Sequence, residues 1–391
     1  MTDASHEASS LAGEAHDLAQ EAEAGSPVRR PTVHRLRRAL VAALVLFVVA
    51  VVVASFISIP YYAITPGQAI DVADMVSLPN GLDHAHPGRV LMTDVNLISL
   101  RAIDYLYYRW NGTDQVVPAS ELTGGATAAQ YAAQGAIDMA NARQAATVVA
   151  LSTLGYRVRA RPAGVIVYQP LARSPAAGRL KIGEVISSVD GVATPTPVAL
   201  EQVLAKQAPG TRVRLDVHVL GSTSTRVVRL RLGRITSTSC AVVPARATAS
   251  AARPCVGILI EPAYRTTGMP FAVKIDSEGI IGPSAGLAFT LGLIDALNRG
   301  DLTGGHRVAA TGTMSVNGQV GPVGGVAQKT VAVERAGAQV FFVPPQEYAT
   351  ARAHATGRMH VEAVATLHQA IVDLERLGGR LVAPSSTSSR S

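Results

Sequence analysis

Ser284 lies in Gly282-Pro283-Ser284-Ala285-Gly286, and Lys329 follows 45 positions later in Gly324-Gly325-Val326-Ala327-Gln328-Lys329. A serine hydroxyl is a poor nucleophile until a neighbouring base takes its proton. A lysine serves as that base only while its amine is neutral. At an ordinary pKa of about 10.4, well under a thousandth of it is neutral at pH 7. Bringing the pKa near 7 costs roughly 4–5 kcal/mol of lost charge solvation. Lys329 therefore needs a dry pocket, and Gly324, Gly325, Val326 and Ala327 give it small apolar neighbours. The chain has only four lysines (Lys181, Lys206, Lys274, Lys329) among 35 basic residues. Arginine, its habitual cation, cannot give up a proton.

Two bland alternatives stand beside this pair. Pro283-Ser284 at a helix start sets the hydroxyl beside unpaired backbone N–H groups, which suits a developing oxyanion, yet serine there is also a routine helix cap. Gly282-x-Ser284-x-Gly286 also fits the nucleophile elbow of α/β-hydrolases, which needs a downstream acid and histidine. Asp301, His306, His354, His360 and His368 are available, but the segment is short for that fold. A phosphate-binding loop would need glycine at 323 and 328, where Val323 and Gln328 stand. No ATPase module is recognisable and no cofactor is expected.

The elements that must position Ser284 and Lys329 alternate between strand and helix. A helix over 284–298 carries Leu287, Leu291, Ile294 and Leu297 at burial spacing. Strands are expected at 271–275, 307–313 and 340–343, and helices at 328–336 and 367–377, an α/β succession. Upstream, residues 164–232 read as short strands. Arg212 to Val219 alternates Val213, Leu215, Val217 and Val219 against polar partners, and Leu200, Val203 and Leu204 share one helix face. An Ala-rich helix is expected over 127–154 with Gly155 beyond its end. No chemistry attaches to residues 60–155.

At 391 residues the chain has room for several domains. Its net charge of +7 is uneven. Residues 1–28 hold six acids and no Lys or Arg, and residues 29–38 hold five arginines and no acid. No basic cluster is interleaved with aromatics, so nucleic acid is not an expected partner. Ala39 to Ile59 is an uncharged apolar run of 21 residues, matched to a bilayer core. The arginines before it put the N-terminus in the cytoplasm and everything after residue 60 outside, in a single-pass membrane protein. A cleaved signal peptide is the alternative, against which the long acidic leader and the length of the run both count. Cys240 and Cys255 are the only cysteines. An oxidising compartment permits a disulfide between them worth roughly 3 kcal/mol, free thiols being the alternative. Neither has metal-ligand spacing, so no metal site is expected.

Gly164-Val165-Ile166-Val167, Ser174-Pro175-Ala176, Leu180-Lys181-Ile182-Gly183-Glu184-Val185-Ile186 and Val189-Asp190-Gly191 together resemble a PDZ domain. The resemblance implies peptide capture, the ligand adding as a strand beside Gly164, Val165, Ile166 and Val167 and reaching toward the Leu200 helix.

Further on, Gly282-Pro283-Ser284-Ala285-Gly286-Leu287, Gly300-Asp301-Leu302-Thr303-Gly304, Ala310-Thr311-Gly312-Thr313, Asn317-Gly318-x-Val320-Gly321-x-Val323-Gly324-Gly325 and Lys329 occur in order. This series resembles the proteolytic domain of Lon-type serine proteases. The resemblance implies Ser284 as nucleophile, Lys329 as general base, Thr311 in support, and assembly as a homo-oligomeric ring. Membrane run, PDZ-like block and Lon-like block together resemble a bacterial group of membrane-anchored PDZ–Lon proteins.

The expected organisation is therefore a disordered cytoplasmic tail (1–38), a transmembrane helix (39–59), a membrane-proximal segment (60–155), a PDZ-like β domain (156–235), a linker (236–255), a Lon-type α/β proteolytic domain (256–378) and a disordered tail (379–391). The expected function is a membrane-anchored, extracytoplasmic endopeptidase acting on polypeptides. A PDZ adaptor with an inactive Lon-like block is the alternative.

Overall fold

A computed structural model describes residues 33–219, 222, 224–234, 253–277 and 279–382. The chain divides into two units: the stretch up to Ile57 with Arg101–Ile103, and Ser58–Leu100 with Asp104 onward.

In the first unit, α1 (Val33–Phe56) is a 24-residue helix, within which Arg35–Phe56 is long and apolar enough to cross a membrane. At 1.5 Å per residue it exceeds a hydrocarbon core of about 30 Å. Leu40, Leu44, Leu46 and Phe47 all face outward. The helix ends at Phe56, and Ser58 opens a strand, so Ile59, the last residue of the expected span, lies outside the helix.

The second unit runs through β1 (Ser58–Asp71), β2 (Arg89–Arg101), α2 (Asp104–Trp110), β3 (Gln115–Pro118), α3 (Ala119–Thr123) and α4 (Ala128–Thr153). There follow β4 (Arg159–Pro170), β5 (Glu184–Val189), α5 (Pro197–Ala205), β6 (Arg212–Val219), β7 (Thr225–Arg231) and β8 (Ile258–Thr267). The last stretch holds α6 (Gly286–Leu297), β9 (Arg307–Ala310), α7 (Val326–Arg335), β10 (Val340–Val343), α8 (Tyr348–His354), β11 (His360–Ala363) and α9 (Leu367–Arg376).

One six-stranded sheet has the order β11-β10-β9-β2-β1-β3. Its centre is parallel, Val308 standing opposite Val340 on one side and Val90 on the other. Strands covered on both faces need no polar alternation, and all four residues of β10 are buried. Val90, Met92, Val308, Ala310, Val340 and Phe342 face one layer, packing with Leu287, Leu291 and Ile294 of α6 and Ile371 and Leu374 of α9. Leu91, Ala309, Phe341 and Val343 face the other, with Val326 and Val333 of α7 and Ala351 of α8. The result is an α/β/α sandwich. Three of its strands come from residues 58–118, the stretch to which the sequence lent no chemistry. Strand partners more than 200 positions apart leave no trace in local periodicity.

The other main sheet runs β8-β4-β5-β6-β7 around Val165, Val167, Ile186, Leu200, Leu215 and Val217. Here β8 pairs along β4, with Ile260 opposite Val167. The expected boundary at residue 256 assigned β8 to the following block, whereas its partner lies a hundred residues upstream. The second correction concerns Gly164, Val165, Ile166 and Val167. They lie in β4, flanked by β8 on one side and β5 on the other, so no ligand strand can add there. The pattern identified a strand but not its position in the sheet. Cys255 is buried and is not a free thiol, while Cys240 lies outside the described residues.

Helix α4 packs on α6 and on the second sheet. Thr127 caps it, its hydroxyl accepting from Gln130 N–H while the Gln130 side chain accepts from Thr127 N–H. Along its length Gly135 O accepts from Gly282 N–H at 2.8 Å, Asp138 Oδ2 accepts from the Tyr168 hydroxyl at 2.9 Å, and Gln144 Nε2 donates to Tyr264 O at 3.0 Å.

Candidate active site

Ser284 ends a turn two residues ahead of α6, not inside the helix as the spacing suggested. Ala285 occupies the cap position and makes no side-chain cap bond, so the serine is not spent on capping. Among the described residues, no hydrogen bond engages the Ser284 hydroxyl. Gly286 is required behind it, because a Cβ there would come within 2.6 Å of the Met314 backbone nitrogen. The Gly286 and Leu287 N–H groups are taken by Pro283 O and Gly312 O. The N–H groups of Ser284 and Ala285 find no acceptor among the described residues, which leaves them for a substrate oxygen.

Lys329 stands in the first turn of α7 and is 2 % exposed. Gly325, at φ 68°, turns the chain into that helix, where a Cβ would meet Val95 at 2.9 Å. Loss of water pulls the amine down to about 8, against the upward pull of the Asp94 and Glu347 carboxylates. A positive helix N-terminus opposes an ammonium there as well. At that value about a tenth of the amine is neutral at pH 7, against less than a thousandth for a free lysine.

Thr311 joins the two. It is fully buried beyond the end of β9, where its N–H donates to Phe342 O at 3.0 Å. Its hydroxyl donates to Ser284 O at 3.2 Å, and Gly312 N–H donates to the same oxygen at 2.9 Å. The hydroxyl's one hydrogen is thereby committed, so toward Lys329 Nζ, 3.2 Å away, it acts as acceptor. The nitrogen lone pair of the neutral amine is left free to take a proton. Lys329 Nζ is thus two hydrogen bonds from Ser284 O, by way of Thr311 Oγ1, and a neutral amine held in this way has the chemistry of a general base.

The structure therefore gathers Ser284, Thr311 and Lys329 and leaves Gly164, Val165, Ile166 and Val167 in the interior of the other sheet. Of the histidines the elbow alternative offered, the His306 and His354 rings engage the Leu377 and Thr350 carbonyls. Sequence reasoning missed Asp94 and Glu347. Asp94 comes from β2, and its Oδ1 accepts from Gln68 N–H at 2.7 Å. Glu347 follows β10, holds Val323 N–H with Oε1 at 3.3 Å, and has a buried, unpartnered Oε2. Nothing in the flanking residues of either one points to Lys329. No group of three or more metal-ligating side chains occurs among the described residues.

Residues 277–370 match the Lon protease (S16) C-terminal proteolytic domain. Ser284, Thr311 and Lys329 all lie inside that match. The chain is 38% identical over 63 residues to the Lon protease of Mycoplasma mobile, covering 16% of this chain and 7% of that protein. It is 37% identical over 86 residues to Lon protease 2 of Bacillus subtilis, covering 20% of this chain and 15% of the relative. The chain thus spans only a small part of the length of the Lon proteases it matches. Among solved structures it is similar to the PDZ domain of the SdrC-like protein of Listeria monocytogenes (TM-score 0.20, 19% identity, 25% of this chain and 87% of that one). The corresponding domain from Listeria innocua gives a TM-score of 0.20 at 21% identity, covering 25% of this chain and 92% of that one.

Proposed function

We propose that this chain is a serine endopeptidase in which Ser284 attacks a peptide carbonyl and Lys329 is the general base. The observation that carries the reading is the dry amine of Lys329 fastened to Thr311. In the first step Ser284 Oγ bonds to the carbonyl carbon as its proton passes to Nζ, and the Ser284 and Ala285 N–H groups receive the oxyanion. Lys329 then returns the proton to the departing amine. Water cleaves the resulting ester by the same base.

The catalytic unit on this reading is discontinuous. Residues 58–153 and 272–382 build it around the first sheet, and the block from β4 to β8 is inserted between them. Capture of an extended peptide moves from β4 to the outer edge of the second sheet, β8, which has Pro262 at an edge-tolerant position. Flexible polypeptides are the substrates, and turnover needs no ATP. The N-terminus is cytoplasmic and the active site extracytoplasmic, as the five arginines over 29–38, ahead of the apolar run, suggest. A homo-oligomeric ring is proposed from the Lon likeness, and sedimentation of the detergent-solubilised chain as a monomer would count against it.

The direct test is a serine-reactive phosphonate probe read by mass spectrometry. The expected adduct is on Ser284 and is lost in both Ser284→Ala and Lys329→Ala. Labelling undiminished by Lys329→Ala would remove the base from the mechanism, and no labelling at all would favour the adaptor reading. A pH profile probes the same assignment. Glu347→Gln keeps the acceptor for Val323 but removes a charge that favours the ammonium, so the Lys329 pKa drops further. The rising limb of kcat/KM should move to lower pH by a fraction of a unit.

A further inference from the structure

Exposed apolar residues scattered singly over a surface need no explanation. Those of α2 are not scattered. Trp110 stands four positions after Leu106 and three after Tyr107, so the three share one face of the helix, and they are 56%, 66% and 80% exposed. Trp110 is the only tryptophan in the chain. The other side of α2 is anchored: the Tyr105 ring meets Tyr61 edge to face at 5.3 Å between centroids. Tyr61 lies five residues beyond Phe56, the last residue of α1, a reach of about 17 Å at most. A short helix with an outward aromatic face is therefore packed on a residue only five positions along the chain from the end of α1. Arg109 is exposed on the same helix and is long enough to reach a phosphate.

We infer that Leu106, Tyr107 and Trp110 seat α2 in the headgroup boundary of the bilayer that holds α1. Tryptophan and tyrosine favour that layer because one end of each ring is apolar and the other finds a hydrogen-bond partner. Arg109 meets anionic lipid phosphate. The inference rests on α1 crossing the membrane. It adds a second lipid contact, made by α2 of the second unit. The Tyr61–Tyr105 contact makes β1, and through it the first sheet, part of the seated body.

The single tryptophan makes the full chain its own reporter. It is reconstituted in vesicles of phosphatidylcholine and phosphatidylglycerol, and membrane residence is checked by resistance to alkaline carbonate. Trp110 emission should be blue-shifted and shielded from iodide. It should lose more than half its intensity when the phosphatidylcholine carries bromine high in its acyl chains. Leu106→Asp combined with Tyr107→Asp should at least halve that quenching while carbonate resistance persists. A carbonate-resistant chain whose Trp110 is quenched freely by iodide and not by bromolipid overturns the inference. Shielding from iodide without bromolipid quenching also overturns it, since a protein surface then covers the face. Release by carbonate removes the transmembrane reading itself, and that result is distinguishable from both.

Discussion

Lys329→Met should abolish peptide hydrolysis and at the same time make the protein about 3 kcal/mol more stable at pH 7. The folded state holds the amine at about 8, while the unfolded chain titrates it near its ordinary value of 10.5. Below about 8 both states carry the proton, and the burial penalty is fully present. Between about 8 and 10.5 the unfolded chain binds more protons, so stability rises with pH across that window. Methionine has similar length, fills the same dry space and carries no charge. Thr311 keeps its bond to Ser284 O, so no buried donor is orphaned. Turnover should fall roughly 10³-fold or more with the base gone. Urea midpoints of the detergent-solubilised chain at pH 7 and pH 10 are the measurement. The variant should lead at pH 7, and the gap should narrow at pH 10. A variant less stable than the parent at pH 7 would mean the amine is not held dry. Such a trade of stability for activity is expected where a site keeps an ill-solvated group for its chemistry.

The second large effect concerns Thr311. Thr311→Val keeps shape and removes the hydroxyl that accepts from Nζ and donates to Ser284 O. Ser284 O retains the Gly312 N–H at 2.9 Å, so the loop should stay in place at a cost of about 1–2 kcal/mol. The amine loses the contact that fixes its direction. We expect kcat to fall about 100-fold, the scale of a misaimed catalytic group, with KM nearly unchanged. Thr311→Ser restores the hydroxyl and should recover activity to within about tenfold. A parallel rise in KM, or no rescue by serine, would assign Thr311 to packing alone.

Much of this site was legible in the sequence, for reasons that differ residue by residue. Ser284 and Lys329 stood out because glycine-rich surroundings and a lysine among arginines are local signals. Helix α6, just beyond Ser284, was legible from leucine spacing, although it starts two residues later than expected, because Ser284 and Ala285 remain in the turn that Gly282 opens. Strands β6 and β10 were read with their observed bounds, since β-branched runs and turn residues delimit them. Thr311 came only through family likeness. Asp94 and Glu347 were invisible, because an electrostatic neighbour brought in from another strand leaves no mark near Lys329. Sheet order was equally out of reach: nothing in Val165 or Ile166 says that Ile258 to Thr267 will close the edge beside them.

The first sheet also has a temporal consequence. Strand β2 waits for β9, whose first pairing residue is Arg307 opposite Arg89, and the block from β4 to β8 has to emerge in between. Such distant pairing makes for slow closure. Thr311 and Lys329 are translated later still. On the proposed mechanism a ribosome must therefore deliver the chain past Lys329 before the base can face the serine, and the nascent polypeptide carries its own delay against premature cutting.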